Sequence, residues 1–200
     1  MERSDIVGAA VELLDTAGES GLTFRVLSAR LKTGPGAIYW HVANKSELLV
    51  AATDAVLTVE AGGDTPEETI RAIALAVFDA IDAHPWVGAQ LPRAPSQPAV
   101  LRVFELIGRQ VQALGVADAE QFDAASALLN YILGVGRQNA ANAQAVTPGT
   151  TRADFFESAW GHLDPAEYPF LRHVTKQLMT HDDRAQFLAG VNLILKGIKG

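Results

Sequence analysis

The chain has 200 residues, 48% of them hydrophobic and 20% charged, with a formal net charge of −7. This is the composition of a globular protein able to bury a sizeable core, and no stretch approaches the roughly 18 consecutive apolar residues needed to span a membrane. There is no cysteine, which excludes disulfides, thiolate metal sites and cysteine nucleophiles. The start of the chain runs directly into a helical pattern without a signal-peptide layout, so the cytoplasm is the expected compartment.

Apolar residues recur at helical spacing along the whole chain, and no strand-like alternation or internal repeat appears. Ile6, Ala10, Leu13, Leu14 and Ala17 form the inner face of a first helix, with Ser4 as its cap and Gly18 at its stop. Thr23 caps a second helix that turns Val26, Leu27 and Leu31 inward. A short third helix is expected from Pro35 to Val42, and a fourth that begins after Asn44, its cap, and runs to about Val59. After Gly62-Gly63, Thr65 and Glu68 have the spacing of a capping box around Pro66, starting a helix that reaches Ala83. Residues 92–98 read as a loop. A helix then runs to Leu114 and stops at Gly115, and Asp118 to Ala145 reads as one helix of roughly 40 Å. Thr147-Pro148-Gly149-Thr150 ends it. Shorter helices are expected at 152–161 and 169–180, and a last one from Asp182 to Ile198. The fold class is therefore all-α: a three-helix head over residues 1–45 and an all-helical body over residues 46–200.

The charge is unevenly distributed. No carboxylate occurs from residue 20 to residue 46, a window that holds Arg25, Arg30, Lys32, His41 and Lys45. A local cationic patch on an acidic chain suits contact with a nucleic-acid backbone and disfavours indiscriminate binding; a solvated helical face is the plainer alternative. Residues Thr23 to Leu49 have the order helix, short turn, short helix, capped helix, which is a helix-turn-helix. Leu27, Leu31, Ile38 and Val42 are spaced to join the two helices. Tyr39, Trp40 and His41 are consecutive, and three neighbouring rings cannot all enter so small a core. At least one must be exposed with a polar tip able to donate to phosphate.

The run Ala37-Ile38-Tyr39-Trp40-His41-Val42, followed by Asn44-Lys45 and Glu47-Leu48-Leu49, resembles the signature of TetR-type transcriptional regulators, and within them the tetracycline repressors. The resemblance implies a homodimer that binds a double-stranded DNA operator and releases it on binding a small organic ligand. It implies that Thr23 caps the second helix and touches phosphate, that Arg25 reads a guanine edge, that Gly36 and Ala37 lie against bases, and that Tyr39, His41 and Lys45 contact phosphate. Trp40, Lys32 and Thr33 join this set from the residues themselves. The turn Lys32-Thr33-Gly34-Pro35-Gly36 departs from the usual pattern. It offers no side-chain amide at the start of the recognition helix, which leaves direct readout to Arg25, Lys32, Thr33 or backbone groups. A helical small-molecule binding protein with a degenerate head is the alternative, and an activator is a third reading.

In the body, Phe187, Val191, Ile194, Leu195 and Ile198 share one face of the last helix and are the candidate dimer stripe. Asn130, Gly134 and Gln138 share one face of the long helix. With Trp86, Phe104 and Tyr131 they form the candidate ligand pocket, suited to a mostly apolar molecule. The five histidines show no metal-ligand spacing, and no nucleophile elbow, phosphate loop or dinucleotide fingerprint is present. Neither a cofactor nor an enzymatic activity is expected.

Overall fold

The computed structural model describes residues 1–91, 97–145, 149–164 and 166–199, and among these there are eleven helices and no strand. They are α1 (Arg3–Gly21), α2 (Phe24–Arg30), α3 (Pro35–Tyr39), α4 (Lys45–Val56), α5 (Pro66–Ala83), α6 (Trp86–Gln90), α7 (Pro98–Ala113), α8 (Asp118–Ala145), α9 (Arg152–Trp160), α10 (Pro169–Thr180) and α11 (Asp183–Lys199). Residues 92–96 of the expected loop, and Thr147 and Pro148 of the expected stop after α8, lie outside the described residues.

Local chemistry sets most of the boundaries. Thr23, Asn44 and Thr65 each accept the backbone N–H three residues on, at 3.2, 2.9 and 3.2 Å. This satisfies a donor that the helix itself leaves unpaired. Glu68 returns a bond to the Thr65 N–H at 3.1 Å, completing the capping box around Pro66. The start of α1 differs from expectation. The cap is Glu2 in a reciprocal pair with Asp5, and Ser4 already lies inside the helix. Gly18 does not end α1; it adopts φ +64 and kinks the helix, which continues to Gly21. α3 stops at Tyr39 rather than Val42, and α4 stops at Val56, before the β-branched pair Thr58-Val59 and the two glycines. Gly115 takes φ +78 after α7, the left-handed conformation expected of a glycine stop.

One core runs through the chain. In the head, Ile6, Ala10, Leu13 and Leu14 of α1 meet Leu27, Ile38, Val42, Leu48 and Ala52. Val26, expected inward, is exposed, because Leu27 and Ser28 take the buried side of a helix only two turns long. In the body, α5, α7, α8 and α11 pack around Ile70, Ile73, Val77, Val103, Ile107, Leu128, Ile132, Phe187 and Val191. Two close approaches depend on small residues. A methyl group on Gly136 would lie 2.8 Å from Ile81 Cδ1, and one on Gly190 would lie 1.8 Å from the Tyr131 hydroxyl. Helices α8 and α11 therefore interlock through the Tyr131 ring, which stacks on Phe187 at 5.7 Å and donates its hydroxyl to the Phe187 carbonyl at 3.1 Å. Burial pushes the Tyr131 phenol above its ordinary range. Helices α9 and α10 pack mainly on each other through Phe156, Trp160 and Leu171.

Head and body meet at α6, a short helix that the sequence periodicity does not predict. The Trp86 indole N–H donates to the Asp15 carboxylate of α1 at 2.7 Å, and His84 Nδ1 lies 2.8 Å from the same oxygen. One turn on, Gln90 Nε2 donates to Glu19 at 2.9 Å. A second fastening joins α4 to α7 through Arg102 and Asp54 at 2.5 Å.

Candidate nucleic-acid interface

The turn between α2 and α3 is built by backbone hydrogen bonds. Lys32 N–H donates to Ala29 O at 3.2 Å, and Thr33 N–H donates to Ser28 O at 2.9 Å. This is the paired closure of a Schellman motif, and it requires a left-handed residue after the helix end. Lys32 fills that place at φ +52, the one non-glycine with positive φ among the described residues. Gly34, by contrast, stands at φ −83 as the N-cap of α3, and Pro35 occupies the first helical position, where its missing N–H costs nothing.

Only Ile38 of α3 is buried. Leu31 is partly buried beside it, and Leu27 and Val42 complete the joint between the two helices as their spacing predicted. The opposite side of α3 is open: Gly36 and Ala37 are exposed, Tyr39 is 55% exposed and Trp40 is 88% exposed. The Tyr39 ring is braced edge-on against Phe24 at 4.6 Å, which leaves its hydroxyl at the rim. Trp40 presents a whole indole to solvent. His41 is half-buried.

The cations of this region divide into two groups. Arg30 is paired with Glu12 of α1, its Nε 3.1 Å from the carboxylate, and Arg3 pairs with Glu47 at 3.2 Å. Lys45, expected on phosphate, turns inward: its ammonium donates to the Glu19 carbonyl at 2.6 Å, and the residue is half-buried. Arg25 and Lys32 are exposed, and their side chains make no ion pair or hydrogen bond among the described residues. Thr23 is exposed at the start of α2; its oxygen caps the helix, and its proton is free to donate outward. Thr33 is half-buried beneath the turn. Arg25, Lys32, Thr23, Tyr39, Trp40, Gly36 and Ala37 thus remain available on the outer side of the two helices. The carboxylates of Glu12 and Glu47 are tied to arginines.

This geometry has counterparts. Residues 6–52 match the family described as bacterial regulatory proteins, tetR family, and residues 60–200 match the tetracyclin repressor-like C-terminal domain. The chain belongs to the TetR family. A solved structure of the transcriptional regulator SCO7222, a TetR from Streptomyces coelicolor, is 53% identical with a TM-score of 0.87, over 100% of this chain and 98% of that one. An HTH-type transcriptional regulator of Saccharopolyspora erythraea is 34% identical over 140 residues, which span 67% of this chain and 59% of that relative's length. A structure of BioQ with its double-stranded DNA operator is 25% identical with a TM-score of 0.67, over 100% of this chain and 98% of that one. The chain is a TetR-family regulator with an N-terminal helix-turn-helix and a helical C-terminal domain.

The body residues singled out from the sequence lie in different surroundings. Asn130, Gly134 and Gln138 do share a helix face, but that face is exposed, and a methyl group on Gly134 would meet nothing within 4 Å. Trp86 sits at the head–body joint, Phe104 rests half-buried on the core from α7, and Tyr131 is locked between α8 and α11. Phe187, Val191 and Leu195 are buried within the protomer, and Ile194 and Ile198 are half-buried against the same core. Phe187, Val191 and Leu195, already removed from water, have little surface left to give a partner. The open side of α11 carries Ala189, Leu193 and Gly197 instead, with Leu193 69% exposed.

Proposed function

We propose that this TetR-family chain is a dimeric, DNA-binding repressor whose two heads read the half-sites of a palindromic operator, and whose body lowers that affinity when it binds a small molecule. The observation that carries the reading is the outer side of α2 and α3. It holds two unpaired cations, an exposed indole and an exposed phenol, and no carboxylate occurs between residues 20 and 46. Arg25 is the base-reading side chain, because it is the guanidinium on this side with no internal partner and can span a guanine edge with two bonds. Gly36 and Ala37 let the start of α3 approach the bases. Thr23, Lys32, Tyr39, Trp40 and His41 fix the position on phosphates. BioQ, a similar protein, has been solved with its double-stranded DNA operator, which supports a DNA-binding reading of this chain. The remaining protein is acidic, which restricts binding to the head. In this reading the DNA-binding domain spans residues 1–45, and residues 46–200 serve ligand binding and dimerisation.

The dimer face is the open side of α8 and α11. Phe122 is 69% exposed on α8, and Ala127 and Gly134 follow at spacings of five and seven; Ala189, Leu193 and Gly197 follow at spacings of four on α11. Small residues beside exposed Phe and Leu allow close approach of two helix pairs, and a two-fold axis through them makes the contact self-complementary. The ligand-responsive part is the body, where the Asn139 side-chain amide is buried without a hydrogen-bond partner, an unusual cost that a bound acceptor would remove. No helix among the described residues is long and apolar enough to cross a membrane, and the cytoplasm is the compartment in which such a regulator meets DNA. The reading includes no catalytic activity. It is tested by titrating labelled duplex DNA at several salt concentrations. Arg25→Ala should weaken specific binding by about 1–3 kcal/mol and relax the preference at one position of each half-site. An unchanged preference overturns the assignment.

A further inference from the structure

A cleft of about 280 Å³ lies between head and body, walled by α1, α4, α6 and the residue that precedes α7. Its polar lining is rich in donors. Lys45 has one ammonium proton committed to the Glu19 carbonyl, which leaves two more. Ser46, exposed in the first turn of α4, adds a hydroxyl. Gln97 is the decisive group. It stands at the N-cap of α7 but makes no side-chain cap bond, it is only 2% exposed, and its Nε2 has no hydrogen-bond partner. A buried amide that neither caps its own helix nor pairs elsewhere is rare in folded proteins, and it points to a missing acceptor. The Glu19 carboxylate in the lining receives Gln90 Nε2 at 2.9 Å. Leu49 and Val50 supply an apolar wall.

We propose that this cleft is an effector site for a small organic acid, whose carboxylate takes the free donors of Gln97 and Lys45 and whose short apolar body rests on Leu49 and Val50. The volume suits a small metabolite and falls just below the range of roughly 300–1,000 Å³ typical of drug-sized ligands. A ligand here touches α1 of the head, α4 where the head passes into the body, and α6 and the N-cap of α7 in the body at once. It therefore stabilises one relative position of the two, in addition to any ligand taken deeper in the body.

The test is calorimetric titration of benzoate into the full-length protein at constant ionic strength, with benzamide as the neutral counterpart and inorganic phosphate as the competing anion. Benzoate is expected to bind, and benzamide to bind at least about tenfold more weakly, because it cannot form the charge-assisted bonds. Gln97→Leu, which removes an unsatisfied buried amide and should melt no lower than wild type, is expected to weaken benzoate by about tenfold while leaving operator binding without benzoate unchanged. The proposal is overturned if benzoate gives no binding up to about 10 mM, if benzamide binds equally, if Gln97→Leu leaves the affinity intact, or if phosphate binds more tightly. Operator binding is measured separately, so a failed benzoate titration leaves the DNA-binding reading standing.

Discussion

Lys32 holds a left-handed conformation, φ +52, that ordinary side chains disfavour, and it does so in the turn that sets the angle between α2 and α3. For an L-residue that conformation costs roughly 1–2 kcal/mol, a cost glycine does not bear. Glycine loses more chain freedom on folding, an opposing effect of about 0.4–1 kcal/mol. The Lys32 side chain makes no ion pair or hydrogen bond among the described residues, so no lost side-chain interaction enters the difference. Lys32→Gly should therefore stabilise the protein by about 1 kcal/mol, seen as a rise of roughly 2–4 °C in Tm for a chain of this size. Lys32→Ala keeps the backbone cost and should give no such gain. Both variants remove one phosphate-facing cation, so the slope of log affinity against log salt should fall by about 0.9 for each phosphate left without its lysine, equally in the two. Thermal and urea unfolding at fixed protein concentration, with DNA titrations at several salt levels, separate the effects. If Lys32→Gly is no more stable than Lys32→Ala, the strain argument is wrong. If neither variant changes the salt slope, Lys32 does not face phosphate.

Trp86→Phe keeps the ring against the joint but removes the bond to Asp15. Because that carboxylate is partly exposed, the destabilisation should be near the low end of the about 1.5–3 kcal/mol assigned to bonds with charged groups, read by urea unfolding; unchanged stability would mean that the joint does not depend on it. Leu193→Glu should yield folded monomers in sedimentation, whereas Phe187→Ala should cost about 3–5 kcal/mol of stability through a core cavity; a dimeric Leu193→Glu protein would refute the proposed face. Gly190→Ala would drive a methyl group into the Tyr131 ring and should destabilise by about 1–3 kcal/mol or more, and a neutral result would contradict the interlock of α8 and α11. Asp154 is held below the usual carboxylate range by the Thr151 hydroxyl and then by the Thr151 backbone N–H. Its folded pKa is depressed, so its contribution to α9 is present above the ordinary Asp value and is lost as pH falls through the lower folded value. Thr151→Val should move the Asp154 titration upward in a carboxyl NMR experiment, and an unmoved curve would exclude the cap as the cause.

The head is legible in the sequence because its signals are local. Thr23, Asn44 and Pro35 act within one turn of their own positions, and the ring triplet at 39–41 exceeds what a small core can hold. The body is less legible where the outcome depends on distance in space. The face of α11 carrying Phe187, Val191 and Leu195 and the face carrying Ala189, Leu193 and Gly197 both repeat every four residues. Periodicity shows that a face is apolar but not what covers it. The more hydrophobic stripe goes to the protomer's own core, leaving the smaller residues outside. On α8, the Asn130-Gly134-Gln138 face suggests a cavity wall because amides are poor core material; the same requirement is met by exposure to water. The joint at α6 connects residues 71 apart in sequence, Asp15 with Trp86 and Glu19 with Gln90, a pairing that no spacing rule reaches.

The central claim is that the outer side of α2 and α3 reads a symmetric DNA site. The most direct measurement is selection of duplexes from a random pool by the purified protein at low salt, followed by sequencing. Enrichment of an inverted repeat is expected, with half-sites spaced to place two recognition helices about 34–36 Å apart on one side of the duplex, or a nearby spacing. Arg25→Ala should blur the same position in both halves. A pool that stays random through repeated selection, or one enriched for a single asymmetric element, would contradict the claim.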